Sequence, residues 1–255
     1  MTIFLYDHTF EGLLTALFDA YFRKRFPDML LTDGEPLPLF YDESYTVTTD
    51  TEKAERVWKG LQKKLSAGGL SCFSQCWLSE LSEAPMLMFR YMRKVFESPG
   101  FSETNFADTD VLTLFQLSKK VSGERYRVLQ FMRFQKTAEG IYFGIMAPIY
   151  NVIPLTIEHF RDRFTDQRWL IYDSRRQYGY YYDGEMVNEI TFTEPRQAHL
   201  ITGILDDDLL AQDERLIQSM WKNYFKSICI KERINPRKHK KDLPVRYWKY
   251  LTEKL

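Results

Sequence analysis

Apolar residues recur along the chain with two different spacings, and the spacing predicts where helices and strands lie. In the first half they fall three and four positions apart, which is typical of one buried face of a helix. This pattern predicts helices over about 10–25, 51–66, 70–82, 85–96 and 110–129. Short runs rich in β-favouring residues at 3–6 and 45–48 predict two strands in the same half.

The middle of the chain alternates apolar and polar residues, which is typical of strands. Strands are predicted over 130–136, 141–147, 168–173, 177–182 and 187–193, with a short helix at 157–164. Asp183 and Gly184 form a strong hairpin turn between the last two strands. The other connections also carry turn residues, so we expect one antiparallel sheet. Beyond it we predict a long helix over 207–229, a basic linker, and a last helix over 245–253.

The order of these elements predicts an α+β fold, with a helical N-terminal half, a central antiparallel sheet, and C-terminal helices packed on it. The chain has 255 residues and shows no internal repeat and no low-complexity segment. We therefore predict a single domain over 1–255, with a weak boundary near 98–108 where Ser98, Pro99 and Gly100 break the helical pattern.

Composition is that of a folded protein, with 44% hydrophobic and 27% charged residues. Aromatic residues reach 16%, which indicates either an aromatic core or a partly exposed aromatic surface used for stacking. Three cysteines are too few for a disulfide framework, and the N-terminus lacks the basic segment of a signal peptide. No apolar run approaches the ~20 residues of a membrane helix. These features together predict a cytoplasmic protein.

Charge is balanced over the chain but segregated along it. There are 35 basic and 35 acidic residues, a net charge of zero. Residues 183–214 carry one basic and nine acidic side chains, a net charge of −8, whereas residues 226–249 carry nine basic and two acidic, a net charge of +7. The basic block therefore marks the part of the chain most suited to a polyanion.

Motifs for nucleotide binding, metalloprotease chemistry and hydrolase nucleophiles are absent. His8, His159, His199 and His239 are scattered, and no pair has metal-ligand spacing. Cys72 and Cys76 share a helix face, but two thiols without further ligands do not complete a metal site. We predict no metal and no cofactor, and the sequence identifies no catalytic residue.

Three basic sets are candidates for contact with nucleic acid, because guanidinium and ammonium groups attract phosphate and neighbouring aromatic rings can stack on bases. The first comprises Lys231, Arg233, Arg237, Lys238, Lys240, Lys241 and Arg246 with Tyr247 and Trp248; the second comprises Arg125, Arg127 and Arg133; the third comprises Arg163 and Arg168 with Trp169. The alternative interpretations are a solvated basic tail that balances the acidic segment, and ion pairs with acidic neighbours such as Glu124, Asp162, Asp166 and Asp173.

Six separated segments, in order along nearly the whole chain, resemble the bacterial "probable DNA metabolism protein" family, a domain of unknown function. They read YDHTFEGLLTALFDAY (Tyr6–Tyr21), KAERVWKGLQKKLS (Lys53–Ser66), SGERYRVLQFMRFQK (Ser122–Lys136), HFRDRFTDQRWLIYDSRR (His159–Arg176), YYDG (Tyr181–Gly184) and WKNYFKSICIKERINPRKHKKDLPVRYWKYLTE (Trp221–Glu253). The resemblance implies a gene neighbour that is a radical SAM protein of DNA modification or repair. In longer relatives it implies fusion to a uracil-DNA glycosylase-like domain, and this chain looks like the stand-alone form. The resemblance supplies no reaction and no catalytic residue.

Three hypotheses about function follow. The first is a DNA-repair or DNA-metabolism accessory protein that binds DNA, single-stranded or damaged, or a radical SAM partner, or both. The second is an enzyme of nucleic-acid metabolism whose site, assembled for example from Asp7, Arg133, Arg163 and Trp169, is hidden from spacing arguments. The third is a protein-interaction scaffold without nucleic-acid contact. One contiguous positive face would favour the first, a deep pocket of carboxylates and arginines the second, and a flat apolar patch the third.

Overall fold

The computed structural model of the chain describes residues 1–193, 200 and 202–254. Its packing divides into two compact units, Met1–Ser122 and Gly123–Leu255, and the division falls within helix α5 (Thr109–Phe131). Helices and strands are mixed, with helices in the N-terminal half and near the C-terminus, so the predicted α+β class is confirmed. A single domain with a weak boundary near 98–108 stays a prediction, because compactness alone does not show whether either unit folds by itself.

The first unit contains a three-stranded sheet formed by β1 (Thr2–Tyr6), β2 (Met29–Thr32) and β3 (Glu43–Thr46), in the order β2-β1-β3. Both pairings are parallel. Parallel strands need a crossover connection, and α1 (Phe10–Arg23) supplies it between β1 and β2. The sequence predicted β1 and β3 but not their pairing, because strand direction depends on the path of the connection.

Helices pack against this sheet and begin where short polar side chains cap them. The Thr9 hydroxyl accepts from the Gly12 amide, and Asp50 accepts from two amides at the start of α2 (Thr51–Lys64). Next come α3 (Ala67–Trp77) and α4 (Ala84–Glu97). Their apolar faces meet in one core with α1 and β1, which includes Phe4, Leu13, Leu17, Leu61, Phe73, Met88 and Met92.

The second unit contains a five-stranded sheet in the order β4-β5-β6-β7-β8. Its strands are β4 (Phe134–Lys136), β5 (Tyr142–Met146), β6 (Trp169–Asp173), β7 (Tyr178–Tyr182) and β8 (Val187–Ile190). The β7–β8 hairpin around Asp183 and Gly184 is confirmed. The wholly antiparallel sheet is wrong, because β5 and β6 pair in parallel. The long connection through α6 (Ile157–Arg163) brings the chain back in the same direction.

The helices near the C-terminus differ from the predicted ones in their bounds and in their number. Helix α7 covers Glu214–Ser227 rather than 207–229, because Leu209 and Ala211 form backbone hydrogen bonds with Ala138 and Lys136 beside β4. The acidic run 206–208 therefore lies in a turn before the helix. The predicted basic linker contains helix α8 (Pro236–Asp242), capped by Asn235, and the predicted last helix is two 3-10 segments, Val245–Tyr250 and Thr252–Lys254.

Candidate nucleic-acid interface

Helix α8 presents four cations of the first basic set on the surface. Asn235 accepts from the Lys238 amide, and Pro236 occupies the first turn, where its missing N–H costs nothing. Arg237, Lys238, Lys240 and Lys241 are all exposed. Lys238 forms an i,i+4 ion pair with Asp242 at 3.0 Å, but its side chain stays 72% exposed. A solvent-exposed pair of this kind is weak, so the ammonium group remains available to a stronger anion.

A groove of about 650 Å³ lies beside these cations. Its walls come from the end of α7, the 3-10 turn Lys231–Arg233, helix α8 and the 3-10 segment that follows. Arg233, Lys238, Lys240 and Lys254 supply positive charge, whereas Asp242 is the one acidic residue among the described lining residues. Apolar and aromatic side chains complete the lining: Phe225, Ile228, Ile230, Ile234 and Trp248.

The half-buried Trp248 ring is held in a fixed orientation within this groove. Its indole N–H donates to the Leu243 carbonyl at 3.1 Å, and the His239 ring lies 5.7 Å away, centroid to centroid. The Lys254 ammonium group sits 5.2 Å from the Trp248 ring and 5.4 Å from the Phe225 ring. The result is an aromatic surface bordered by cations, the combination that single-stranded nucleic acids require.

His239 contributes a neutral ring to this groove. Burial lowers its pKa and the nearby Lys254 cation lowers it further, although Asp242 acts in the opposite direction. Its Nε2 atom is buried and has no hydrogen-bond partner among the described residues. From the sequence, His239 was one of four scattered histidines, because neither Trp248 nor Lys254 is close to it along the chain.

Tyr247 of the same basic segment faces inward, whereas the side chain of Arg246 beside it is 35% exposed. Tyr247 is fully buried, and its hydroxyl donates to Glu124. The Arg246 guanidinium donates to the other Glu124 oxygen at 2.7 Å. A buried ring offers no face for stacking, so we leave Tyr247 out of the interface and assign Arg246 to Glu124. For Lys231, the side chain lies outside the described part of the chain.

The arginines of the second set are also engaged within their own unit. Arg125 donates to the Leu155 carbonyl at 2.8 Å, and Arg127 donates to Glu124 at 3.1 Å. Arg133 contacts both oxygens of Glu253, at 2.7 and 3.4 Å. The alternative interpretation of ion pairing therefore describes Arg127 and Arg133, and the second set does not extend the basic surface around α8.

The third set divides between surface and core. Arg163 is exposed in the last turn of α6, and Arg168 is exposed but donates to the Glu139 carbonyl at 2.9 Å. Trp169 is only 1% exposed and stacks on Tyr182, with ring centroids 5.3 Å apart. Neither arginine lines the groove beside α8.

The hypothetical enzyme site from the sequence draws residues from both units and stays a prediction. Asp7 belongs to the first unit, whereas Arg133, Arg163 and Trp169 belong to the second. The Asp7 carboxylate accepts hydrogen bonds from the Thr9 amide, the Thr9 hydroxyl and the Thr49 hydroxyl. These bonds fix the turn that precedes α1. Burial raises the pKa of Asp7, but these hydrogen bonds outweigh it and leave the pKa below its ordinary value. This carboxylate has a structural role.

The described residues contain no group of three or more histidine, cysteine or carboxylate side chains placed to hold a metal ion. Cys76 is buried and donates to the Leu114 carbonyl at 3.3 Å, and burial raises its pKa to about 12. Cys72 is half-buried and Cys229 exposed, and all three are free thiols. His199 lies outside the described residues. In the same part of the chain, every helix is too short or too polar to cross a bilayer.

Comparison with protein families gives one match. The sequence model of a domain of unknown function, DUF4130, matches residues 82–253. The chain belongs to the DUF4130 family. No curated protein and no solved structure matches the chain. The matched region of this DUF4130 protein includes all five strands of the second sheet, helices α7 and α8, and the groove between them, whereas β1 to β3 and α1 to α3 lie outside it.

Proposed function

We propose that this DUF4130 protein is an accessory protein of DNA metabolism that binds nucleic acid in the groove beside α8. The observation that carries the proposal is the row of exposed cations, Arg237, Lys238, Lys240 and Lys241, next to a groove lined by Trp248. Phosphates are the polyanion that such a row attracts, and each one neutralised releases a condensed counterion. Arg127, Arg133 and Arg246 each have an acidic partner within their own unit, so we leave them out of the proposed interface.

The shape of the groove favours single-stranded over double-stranded DNA. Stacking requires an unpaired base, and Trp248 with the neighbouring His239 is the aromatic surface that the groove offers. Lysine and arginine contacts to phosphate carry no base information, so binding is expected to be largely independent of sequence. A locally opened or damaged duplex would present the same features as a single strand.

The resemblance to the "probable DNA metabolism protein" family supports a place in DNA repair. It also supports a radical SAM protein of DNA modification or repair as the partner. Such an enzyme would supply the chemistry, and this chain would hold the DNA strand. We propose no reaction for this chain itself: Cys229 and His239 both line the groove, but the buried His239 Nε2 has no hydrogen-bond partner among the described residues.

A second candidate function, docking of a protein partner, is favoured by the outer face of α7. Leu216, Met220 and Tyr224 lie four residues apart on one face of the helix and are 65%, 62% and 55% exposed. An apolar stripe of this kind marks interaction sites. Met220→Glu should therefore abolish binding to the purified radical SAM protein and leave DNA binding unchanged. Unchanged affinity for that protein would remove α7 as its docking face.

The test of DNA binding is fluorescence anisotropy with labelled oligonucleotides at several salt concentrations. The variant Lys238→Gln/Lys240→Gln/Lys241→Gln removes three cations from α8. For single-stranded DNA, the slope of log affinity against log salt should become shallower by about 2, since each phosphate contact contributes roughly 0.7. Affinity at about 50 mM salt should also fall at least tenfold.

A matched control is available on α2. Lys59→Gln/Lys63→Gln/Lys64→Gln removes three lysines, and Lys59 forms an i,i+4 pair with Glu55 just as Lys238 does with Asp242. This variant has the same net charge as the α8 variant, so it should bind DNA as tightly as the unmodified chain. Absence of binding by the unmodified chain at about 50 mM salt, or equal losses in the two variants, would contradict the proposal.

A further inference from the structure

A second cavity, of about 420 Å³, lies between the five-stranded sheet and the start of α7, and four of its nine described lining residues are aromatic. Tyr142 and Trp169 are paired in register on neighbouring strands and so project from the same face of the sheet. Phe134 reaches the cavity from β4, and Phe164 from the end of α6. The sequence did not reveal this cavity, because its walls come from segments more than 80 residues apart.

The position of Phe134 depends on a glycine in the next strand. Gly144 is its register partner, and a Cβ atom at residue 144 would lie 2.9 Å from the Phe134 ring and 2.8 Å from the Met132 sulfur. Both distances are shorter than real Cβ contacts allow. The Phe134 ring therefore occupies the space that any larger side chain at residue 144 would fill. The ring forms one wall of the cavity.

Polar side chains line the cavity beside these rings, namely Lys136, Gln167, Asp213 and Glu214, and Lys136 lies 3.9 Å from Asp213. Trp169 is 1% exposed, and its indole N–H has no hydrogen-bond partner among the described residues. Glu214 is 5% exposed, and one of its carboxylate oxygens accepts from the Gln218 amide at 2.9 Å. The Gln167 side chain supplies a further donor and acceptor. Buried polar groups normally have partners, and the Trp169 N–H has almost no exposed surface, so a ligand acceptor reaches it only when a neighbouring side chain moves aside.

A ligand that matches this lining is a flat ring with hydrogen-bonding groups on its edge. The partly exposed rings of Phe134, Tyr142 and Phe164 stack on such a ring, and the Glu214 carboxylate accepts from its N–H groups. The Trp169 N–H donates to an acceptor once the lining uncovers it. We propose that the cavity binds one unpaired nucleobase, with guanine preferred because its edge presents two adjacent N–H donors to a carboxylate. The choice of a nucleobase over other planar rings rests on the proposed nucleic-acid function.

Helix α7 connects this cavity to the groove beside α8. Ile217, near its start, lines the cavity, and Ile228, just past its end, lines the groove. Eleven residues of helix separate them, or about 16 Å at 1.5 Å per residue. A further depression, lined by Arg133 and Trp221, shares Glu214 and Ile217 with the cavity and lies along the same helix. A strand held in the groove would therefore lie within a few nucleotides of the cavity.

The test uses free nucleosides, which have no phosphate and so do not depend on the basic groove. Guanosine is titrated into the full chain, and the indole N–H resonance of Trp169, assigned with Trp169→Phe, is followed by NMR. We expect this resonance to shift to saturation and guanosine to bind at least about tenfold more tightly than thymidine, the discrimination typical of a bidentate contact. A resonance that does not move at millimolar guanosine would overturn the proposal.

Variants separate the cavity from the groove. Phe164→Ala and Glu214→Gln should each weaken guanosine binding at least about tenfold, whereas Tyr224→Ala, on the outer face of α7, should not change it. The triple lysine variant of α8 should keep guanosine binding and lose oligonucleotide binding. Guanosine binding that survives Phe164→Ala would overturn the cavity proposal alone. Oligonucleotide binding that survives the triple lysine change would overturn the groove proposal alone.

Discussion

Glu124 is the residue on which the interior of the second unit depends most. Its side chain is 1% exposed and accepts hydrogen bonds from the Ile149 amide, the Tyr247 hydroxyl, Arg127 and Arg246. Burial raises the pKa of Glu124, but these donors outweigh burial and leave the pKa below its ordinary value. One carboxylate thus ties α5 to the loop after β5 and to the C-terminal segment.

Replacing Glu124 should therefore be costly. Glu124→Gln keeps the size of the side chain but leaves the partly exposed Arg246 and Arg127 without a charged partner and weakens the hydrogen bond from the buried Tyr247. Removing the charge from these hydrogen bonds lowers the free energy of unfolding by about 1.5–3 kcal/mol. Urea denaturation followed by circular dichroism would measure it, with Glu139→Gln on the surface as a control expected to stay within about 0.5 kcal/mol. Equal stabilities for the two variants would contradict this role of Glu124.

The three thiols should differ sharply in reactivity. Cys229 is exposed, whereas Cys76 is fully buried, with its pKa raised to about 12 by burial. The thiolate is the reactive species, so Cys76 should stay unlabelled at pH 8 in the folded chain. Titration with a disulfide reagent should show a fast phase that is lost in Cys229→Ser. A fast phase that persists in this variant would contradict the prediction, and all three thiols should react in denaturant.

The residues of the candidate site were only partly predictable, because burial within the segment depends on a residue that is distant in the sequence. Lys238, Lys240 and Lys241 were predicted as a surface set and are exposed. Tyr247 lies six positions farther along and is buried, because the 3-10 segment Val245–Tyr250 turns one side of the chain toward Glu124. Composition shows that a segment is basic and aromatic, but the partner that buries part of it is more than 100 residues away.

Among the elements, α5 contains a glycine that weakens it. Gly123 lies within the helix, and a Cβ atom added there would meet nothing within 4 Å. Glycine costs about 1 kcal/mol relative to alanine in a helix. Gly123→Ala should therefore raise the free energy of unfolding by about 0.5–1 kcal/mol, measured by urea denaturation. A decrease in stability would mean that this position needs the freedom of glycine.

Replacing a glycine in the β7–β8 hairpin should lower the stability, opposite to the effect of Gly123→Ala. Gly184 has φ of +110°, a conformation that other residues adopt only with strain, and Asp183 accepts from the amides of Glu185 and Met186. Gly184→Ala should lower the free energy of unfolding by roughly 1–2 kcal/mol. Gly100→Ala is the control, since nothing lies within 4 Å of its added Cβ and its φ is not in the glycine-only region. Equal effects at 100 and 184 would contradict the argument.

Elements with local signals were predictable, and pairings set by long connections were not. The Asp183-Gly184 turn defined a hairpin because both strands are adjacent to it. The parallel pairing of β5 and β6 was missed, since it depends on how the chain between them, including α6, returns. Helix α8 was missed because seven residues rich in lysine have no apolar periodicity, although Asn235 and Pro236 are ordinary signals for a helix start.

At the scale of the whole chain, the net charge of zero does not show which charges are paired inside the fold and which are exposed. Most acidic residues near the second basic set hold arginines inside their unit, whereas the cations of α8 keep their exposure. The zero net charge therefore argues neither for nor against DNA binding. The relevant quantity is the charge that remains exposed after internal ion pairs are formed. This charge can be assigned only when the fold is known.

Acid should destabilise the chain in a way that identifies Glu124. Burial raises the pKa values of Glu124 and Glu253, but hydrogen bonds and their arginine partners outweigh it and leave both values depressed. A carboxylate with a depressed pKa in the folded state stabilises above its unfolded pKa, about 4.3 for glutamate, and this stability is lost as pH falls through the folded pKa. The contribution of these two carboxylates to the free energy of unfolding should therefore be level from about pH 7 to pH 5 and should be lost below about pH 4. In Glu124→Gln one titrating group is missing, so the fall should be shallower. Parallel curves for Glu124→Gln and the unmodified chain would show that the Glu124 carboxylate binds its proton equally well in the folded and unfolded states, which its four donors should prevent.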